Sequence, residues 1–275
     1  MKRFTVKESI IRKPVKKIES ATQAVHQAAR TESAPVPVRR YRAWIFRIIL
    51  VVIAVAFGFL TFLVKILSTA AIDLQITKTV QLSSSPVLTF IMNVISWPGF
   101  SPQSFILTTI VILVMYLLGL HWEALMALIA SIFTSGLNEL IKYLVQRPRP
   151  TSILVNVFAP IDGYSFPSGH VMYYVGFIGF IGFLIFSLLK PSLIRSFLLV
   201  TLGVFIGFVG LSRIYLGQHW ASDVLGSYLL GSLTLSGIIQ VYLWGKPRFF
   251  IHQPVAKAAP QNRQKASRKT RSQKN

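Results

Sequence analysis

The sequence predicts an all-α protein: a bundle of six transmembrane helices with an amphipathic segment at the outer face between helices 1 and 2. Three observations lead to this prediction. Of the 275 residues, 53% are hydrophobic and only 13% are charged, a composition typical of a polytopic membrane protein. Apolar runs of membrane-spanning length recur along the chain. The basic residues are concentrated at the two ends.

The distribution of charge predicts three regions. A net charge of +21 would be typical of a nucleic-acid-binding protein. The positions of the charged residues along the chain indicate otherwise. Residues 1–43 contain 11 Lys and Arg against 3 Asp and Glu, and residues 245–275 contain 9 against none, so the tails carry +17 of the +21. Membrane proteins retain positive residues on the cytoplasmic side. We therefore predict two basic, mostly disordered cytoplasmic tails, 1–43 and 245–275, around a membrane domain at 44–244, and no nucleic-acid partner.

The first apolar run predicts an uncleaved membrane anchor. It extends from Trp44 to about Leu67, behind the basic tail, and is too long for the core of a signal peptide. Arg47 and Lys65 lie near its ends, where their charged groups can reach the membrane interfaces. The chain has no cysteine, which excludes disulfides and thiolate zinc sites.

Residues 68–103 have a different pattern. Ile72, Ile76 and Val80 recur every four residues among polar residues, which predicts an amphipathic surface helix. The next apolar run, 87–97, is about half the length needed to cross a bilayer, so we predict that it dips into or lies along the outer leaflet.

Further apolar runs complete the predicted bundle. The runs at 104–118 and 123–145 are joined by four residues, which predicts an antiparallel hairpin. An even number of spans places both tails on the cytoplasmic side and the polar segments 146–169 and 213–222 at the outer, periplasmic or extracellular face. The remaining predicted spans are 171–189, 193–215 and 224–244.

The first polar cluster lies at the predicted outer end of the third span. Lys142 and Arg149-Pro150 are separated by six residues, so two cations converge near one place. Arg149 can grip a phosphate with two parallel hydrogen bonds, and Lys142 acts as a point charge. The alternative is a pair of membrane-interface anchors, with Arg147 as their equal. Glu139, one turn before Lys142, is the simplest partner for the lysine.

The second cluster, Pro167-Ser168-Gly169-His170, opens the fourth predicted span. Unpaired N–H groups at a helix start attract an anion, and Gly169 lets that anion approach closely. Ser168 adds a hydroxyl donor or only caps the helix. His170 faces the same anion and can deliver a proton to a leaving oxygen, although a lone histidine here can also be structural.

The third cluster contains the candidate nucleophile. Ser212-Arg213 ends the fifth span and adds a third cation, and His219 with Asp223 opens the sixth. The four-residue spacing places His219 and Asp223 on one helix face, so the carboxylate can hold one imidazole N–H and leave the other nitrogen as nucleophile. A buried structural pair is the alternative, but ionisable residues at membrane depth are functional by default.

Together the clusters carry a resemblance to a known superfamily. The pattern is similar to the three-part signature of the type-2 phosphatidic acid phosphatase and vanadium haloperoxidase superfamily, with every signature position present in order over about residues 68–244. Trp220-Ala221 departs from the small residue or proline of many relatives, which is expected to alter the pocket rim. The absence of long luminal insertions indicates a bacterial, membrane-bound member. The matching motifs are Lys142-x6-Arg149-Pro150, Pro167-Ser168-Gly169-His170 and Ser212-Arg213-x5-His219-x3-Asp223.

The resemblance implies roles for these residues. His219 would attack phosphorus to form a phosphohistidine while Asp223 orients it, and His170 would protonate the leaving alcohol or phosphate. No metal or other cofactor is implied, and the sequence has no cluster of Asp or Glu near the site to hold magnesium. The phosphate-binding residues would be Lys142, Arg149, Ser168, Gly169 and Arg213.

We therefore expect an integral phosphatase of the cell (inner) membrane that hydrolyses a lipid phosphate or pyrophosphate presented at the outer leaflet. Undecaprenyl pyrophosphate, phosphatidylglycerol phosphate and phosphatidic acid all fit as substrates. A lipid phosphotransferase using the same site is the nearest alternative, and a haloperoxidase is disfavoured because such relatives are soluble. A non-catalytic lipid-binding or transport protein is the alternative of another class, but it would not need an oriented nucleophile. The oligomeric state is not predicted.

Overall fold

The computed structural model describes residues 36–67 and 71–249, and every regular element in these ranges is helical, so the predicted all-α class is confirmed. The rest of the two predicted tails lies outside the described residues. A 3₁₀ turn, Trp97–Gly99, follows α3, and a π-helical stretch, Tyr174–Ile178, lies within α6. The helices are α1 (Val36–Ile66), α2 (Ala71–Gln81), α3 (Pro86–Ser96), α4 (Gln103–Leu117), α5 (His121–Val145), α6 (Gly169–Leu188), α7 (Leu193–Tyr215) and α8 (Ala221–Phe249).

Five of the described helices, α1 and α5 to α8, are long and apolar enough to cross a membrane, which makes the chain an integral membrane protein. The predicted second span is different. Its helix α4 has only 15 residues, fewer than the roughly 20 needed to cross a bilayer. It forms a pair with α3 that is bent by 53° and can be counted as a sixth span. The count of six therefore stays a prediction.

The first and last helices extend beyond their predicted bounds. α1 begins at Val36 instead of Trp44, so residues 36–43 of the predicted tail are helical. Pro37 is in the first turn, where its missing N–H is not needed, and the residues that follow contain no helix breaker. α8 continues to Phe249.

The chain divides into two compact units, residues 1–52 and 53–275. The described part of the first unit is the beginning of α1, with largely exposed side chains. The second unit contains the end of α1 and all the other described helices. Within it, α3 packs along α7, and α6 packs against α7 and α8.

Polar residues of α2 point into the protein. Asp73, Thr77 and Gln81 recur every four residues and are buried, whereas Ile72 and Ile76 are exposed. Surface helices of soluble proteins have the reverse arrangement. α2 is therefore held to the rest of the protein by polar contacts and by the packing of Val80, while Ile72 and Ile76 stay exposed.

The ends of α5 and α8 farthest from Lys142 are joined by a second polar group. Glu123 accepts hydrogen bonds from the Tyr242 hydroxyl at 2.9 Å and from Lys246 Nζ at 2.6 Å. This group lies about 28 Å along α5 from Lys142, because each helical residue rises 1.5 Å. Between the two ends, α5, α6 and α8 share an apolar core that includes Trp122, Met126, Ala127, Ala130, Phe177 and Phe180.

Candidate active site

A cavity of about 380 Å³ lies where the three polar clusters meet. Two of the eight predicted site residues, Ser168 and Asp223, are fully buried beside this lining. The structure therefore brings all eight together. The six that line the cavity are Lys142, Arg149, Gly169, His170, Arg213 and His219.

His219 is presented by a tight turn between α7 and α8. Gly217 has φ +68°, and a Cβ added there would lie 2.0 Å from the carbonyl oxygen of Asn156. No other residue fits that close approach, so glycine is required. The turn ends α7 at Tyr215 and places His219 two residues before α8.

The hydrogen bonds of His219 define which ring nitrogen carries the proton. Nδ1 lies 2.8 Å from the carbonyl oxygen of Ser165, which can only accept, so Nδ1–H donates. Nε2 lies 3.2 Å from Nη1 of Arg149, which can only donate. Nε2 is therefore the unprotonated nitrogen. It faces Arg149 at the cavity, on the opposite side of the ring from Ser165.

The direct hydrogen bond predicted between His219 and Asp223 is not present. The distance from Nδ1 to Oδ2 of Asp223 is 3.7 Å, too long for a hydrogen bond. The carbonyl of Ser165 holds the ring N–H instead, and Asp223 acts on the ring through its charge. A backbone carbonyl has no signature in a sequence, so Ser165 could not be identified from the residue pattern.

Asp223 is itself fixed by three donors. Arg147 Nη1 donates to Oδ1 at 2.5 Å, and the backbone N–H of Trp220 donates to Oδ2 at 2.8 Å. The Ser165 hydroxyl also donates to Oδ2. The interface-anchor alternative for Arg147 is wrong, because its side chain is fully buried and paired with carboxylates.

Burial and neighbouring charge keep His219 neutral. Burial, opposed by Asp223 and assisted by the Arg149 cation, lowers the pKa of His219 to about 4. Burial also lowers the pKa of Arg149, although Asp223 and Glu139 counteract it. Because a guanidinium titrates far above neutral pH, Arg149 stays charged beside a neutral imidazole.

The start of α6 offers unused polar groups to the cavity. The backbone N–H of Ser168 donates to Oγ of Ser227 at 2.6 Å. Within the described residues, the Ser168 hydroxyl neither caps the helix nor finds another partner, so the capping alternative is not observed. Nε2 of His170 also lacks a partner in this part of the chain. A Cβ on Gly169 would point toward Lys142, 3.9 Å from its Nζ.

Arg213 is buried with donors to spare. Nη1 donates to Oγ of Ser96 at 3.2 Å, and the guanidinium carbon lies 5.0 Å from the centre of the Phe100 ring. Among the described residues, no partner meets its Nε or Nη2. Lys142 pairs with Glu139 at 2.9 Å, as predicted. Buried donors without partners are costly, so the two Arg213 nitrogens are candidates to bind an anion.

The bend between α3 and α4 packs against His170. The Phe100 ring meets the imidazole edge to face, with ring centres 4.7 Å apart. A Cβ on Gly99 would lie 2.5 Å from Cδ2 of His170, so only glycine permits this packing. Tyr174 donates from its hydroxyl to the carbonyl of Ile95 at 2.5 Å and fastens α6 to the same bend.

Trp220 is not among the residues that line the cavity. Its side chain is buried, and Nε1 donates to the carbonyl of Pro148 at 3.2 Å. It therefore fastens the loop that carries Arg149.

Further polar residues of the cavity were missed by the sequence reasoning. Thr134 and Asn138 line it together with Lys142, and the four-residue spacing places all three on one face of α5. Nδ2 of Asn138 donates to Glu139 at 3.1 Å, while its Oδ1 has no partner in the described part of the chain. Polar residues recurring every four positions in an apolar helix were the available signal. Other polar lining residues are Ser101, Ser104, Ser135 and Tyr173.

Comparisons with known proteins agree with the motif resemblance. A family model described as the PAP2 superfamily matches residues 120–246. Phosphatidylglycerophosphatase B of Bacillus subtilis (strain 168) is 34% identical over 170 residues, which cover 58% of this chain and 78% of that protein. The crystal structure of a transmembrane PAP2-type phosphatidylglycerolphosphate phosphatase from Bacillus subtilis matches with a TM-score of 0.63 and 28% identity, covering 73% of this chain and 98% of that one. These bacterial relatives and the complete motif set place the chain in the PAP2 superfamily.

Proposed function

We propose that the chain is a membrane lipid phosphatase that hydrolyses a lipid phosphate or pyrophosphate through a phosphohistidine at His219. The observation that carries this proposal is the state of that imidazole. Its Nδ1–H is held by Ser165 and its unprotonated Nε2 faces the cavity beside Arg149. A neutral, oriented imidazole within a group of cations is the arrangement that nucleophilic attack on a phosphate requires.

The reaction follows from the placement of the two histidines. Nε2 of His219 forms a bond to phosphorus as the bond from phosphorus to the lipid oxygen breaks, and His170 gives its proton to that oxygen. Water then attacks the phosphohistidine, His170 takes up the water proton, and inorganic phosphate leaves. His219 is restored at the end of the cycle.

Side chains and the start of α6 supply the stabilising charge. Arg149, Arg213 and Lys142 meet the phosphate oxygens, and the Ser168 hydroxyl and the backbone N–H of Gly169 complete the cradle. These cations would perform the charge neutralisation for which many phosphoryl-transfer enzymes use magnesium. We therefore propose metal-independent catalysis.

The relatives favour one substrate for the first test. The curated relative and the solved structure from Bacillus subtilis are both named as phosphatidylglycerophosphate phosphatases, so phosphatidylglycerol phosphate is the leading candidate. Undecaprenyl pyrophosphate and phosphatidic acid present the same phosphate chemistry and remain substrates to compare. Transfer of the phosphoryl group to a second lipid is the alternative outcome of the same intermediate.

We also propose the orientation derived from six spans: both termini in the cytoplasm and the site at the outer face of the cell membrane. The membrane domain then covers residues 44–244 as the functional unit. A reporter fused after Asn275 is expected to be cytoplasmic. An outward signal would overturn this orientation.

The testing experiment is phosphate release by the purified full chain in EDTA. A panel of phosphatidylglycerol phosphate, undecaprenyl pyrophosphate and phosphatidic acid ranks the substrates, and added acceptor lipids separate hydrolysis from transfer. His219→Ala is expected to abolish release, whereas His121→Ala is the matched control, because His121 is exposed at the other end of α5. Undiminished release by His219→Ala would overturn the mechanism. Binding of these lipids without release by the wild type would favour a non-catalytic lipid-binding protein.

A further inference from the structure

Arg147 joins two carboxylates that are far apart in the sequence. Its Nη1 lies 2.5 Å from Oδ1 of Asp223, and its Nη2 lies 2.6 Å from Oδ2 of Asp73. All three side chains are almost completely excluded from solvent. The three charges link α2, the loop after α5 and the first turn of α8.

Ser222 forms hydrogen bonds to both Asp73 and Arg147 in this group of charges. Its hydroxyl donates to Oδ2 of Asp73 at 2.6 Å, and its backbone N–H donates to Oδ1 at 2.8 Å. The Ser222 hydroxyl also accepts from Nη1 of Arg147 at 2.7 Å. Both oxygens of Asp73 are therefore satisfied, and the carboxylate lies at the start of α8, where the helix dipole favours negative charge.

A contribution to folding stability would by itself be a weak explanation for three buried charges. Burying three charges has a desolvation cost that their attraction often only balances, and apolar residues of similar volume can serve as well. The position of the cluster behind the candidate nucleophile supplies another reason, since Asp223 is the carboxylate beside His219.

The signs of the charges explain why two carboxylates are present. On its cavity side, His219 faces the cations Arg149 and Arg213. With Arg147 alone, the charge of Asp223 would be cancelled, and the carboxylate beside His219 would no longer offset those cations. Asp73 restores a net charge of about −1 to the buried group of two carboxylates and one guanidinium.

We infer that Arg147 and Asp73 are positioning residues for the phosphoryl transfer: Arg147 fixes Asp223, and Asp73 keeps the charge behind His219 negative. This inference rests on the proposed function. When Nε2 bonds to phosphorus, the imidazole ring gains positive charge, and the negative group behind it stabilises that change. Neither residue lines the cavity, so neither acts by contact with substrate.

The two residues are predicted to move the protonation of His219 in opposite directions. Charged or titratable groups face the ring from several elements: Arg149 from the loop after α5, Arg213 from α7, Asp223 from α8 and His170 from α6. Asp73→Asn removes a negative charge from behind the ring and should make its protonation harder. Arg147→Gln removes a positive charge and should make it easier.

The test uses full-length protein labelled with ¹⁵N-histidine, titrated by NMR, with His219→Gln to assign the resonance. We expect the His219 midpoint to fall in Asp73→Asn, to rise in Arg147→Gln and to stay near the wild-type value in Arg147→Lys, which keeps the charge. In the phosphate-release assay, kcat of Asp73→Asn should fall about tenfold while KM stays nearly unchanged. A tenfold fall is the size of effect expected from the loss of one charge interaction. Glu123→Gln is the matched control, since it removes a buried carboxylate at the distant end of α5.

Shifts of the same sign in Asp73→Asn and Arg147→Gln, or an unmoved midpoint with wild-type kcat in Asp73→Asn, would overturn the inference. If Arg147→Gln fails to fold, Asp73→Asn and Arg147→Lys carry the test through the same two readouts. The NMR titration does not depend on turnover. A wild-type protein that releases no phosphate would therefore refute the proposed function while the charge coupling is still measured.

Discussion

Nη1 of Arg149 donates a hydrogen bond to Nε2 of His219 across 3.2 Å, so the candidate nucleophile is engaged by a cation before substrate arrives. The same Nη1 donates to the carbonyl of Gln218 at 2.9 Å, and Nε donates to the carbonyl of Gly163 at 3.1 Å. The guanidinium is thus held in place by two backbone carbonyls. In the proposed reaction, a bound phosphate oxygen accepts this Nη1–H instead, which frees the lone pair of Nε2 for attack.

The first prediction concerns pH and stability. The pKa of His219 is lowered to about 4, below the usual value of about 6.5, because the ring is buried. Above pH 6.5 the folded and unfolded states are both neutral. Between pH 6.5 and 4 only the unfolded state binds the proton, so stability falls as pH falls, by about 3 kcal/mol in all. Below pH 4 both states are protonated and no further loss accrues.

Thermal unfolding from pH 8 to pH 4 measures this effect. The wild type should lose more stability across the window than His219→Gln, and His121→Gln should behave as the wild type, because His121 is exposed. Parallel curves for the wild type and His219→Gln would show that His219 titrates normally.

The second prediction separates the roles of the two histidines. His170→Ala should reduce release from a lipid phosphate by roughly 10²- to 10⁴-fold, the usual contribution of a general acid. It should slow release from p-nitrophenyl phosphate far less, because that leaving group departs without a proton. His219→Ala should abolish both reactions. Equal losses on the two substrates in His170→Ala would contradict its assignment as the acid.

The third prediction concerns Arg213. Its Nε and Nη2 have no partner among the described residues, so we expect both to bind phosphate oxygens. Arg213→Lys should lower kcat/KM about 100-fold, because an ammonium cannot reproduce two parallel donors. Arg195→Lys, which changes an arginine near the start of α7, provides the control. A change below about threefold in Arg213→Lys would indicate a packing role beside Phe100 instead.

The fourth prediction uses Gly169. An added Cβ would lie 3.4 Å from Nδ2 of Asn138 and 3.9 Å from Nζ of Lys142, which is ordinary contact, so Gly169→Ala should fold. The methyl group would occupy space between these donors and the phosphate, and we expect vanadate inhibition to weaken about 10- to 100-fold. Gly136→Ala is the matched control, since no atom of the described residues beyond its own stretch of helix backbone lies within 4 Å of its Cβ position. Unchanged inhibition in Gly169→Ala would move the phosphate away from the start of α6.

Local features of this protein were accessible from its sequence. Hydrophobic run lengths predicted the helices α5 to α8 closely, apart from the longer end of α8, and the spacing of the three motifs predicted eight site residues, six of which line the cavity. Both signals depend on nearest neighbours along the chain, which the sequence displays directly.

The contacts between residues far apart in the chain could not be predicted from the sequence. Arg147 and Asp73 are 74 residues apart, and their pairing follows from how α2 packs against the loop after α5. The carbonyl of Ser165 belongs to the backbone, which every residue shares. The inward direction of the polar face of α2 was equally hidden, because an amphipathic pattern defines two faces without saying which one meets the protein.

α2 has a mechanical consequence. Through Asp73 it holds the loop of Arg147 and the start of α8, and through Gln81 it bonds to the backbone of Asn156 and Tyr215 at 2.7 to 3.0 Å. Its isoleucines at 72 and 76 face outward. A tilt of this short helix would therefore move the loop of Arg147, the backbone at Asn156 and the start of α8 together, so these three segments behave as one mechanical unit.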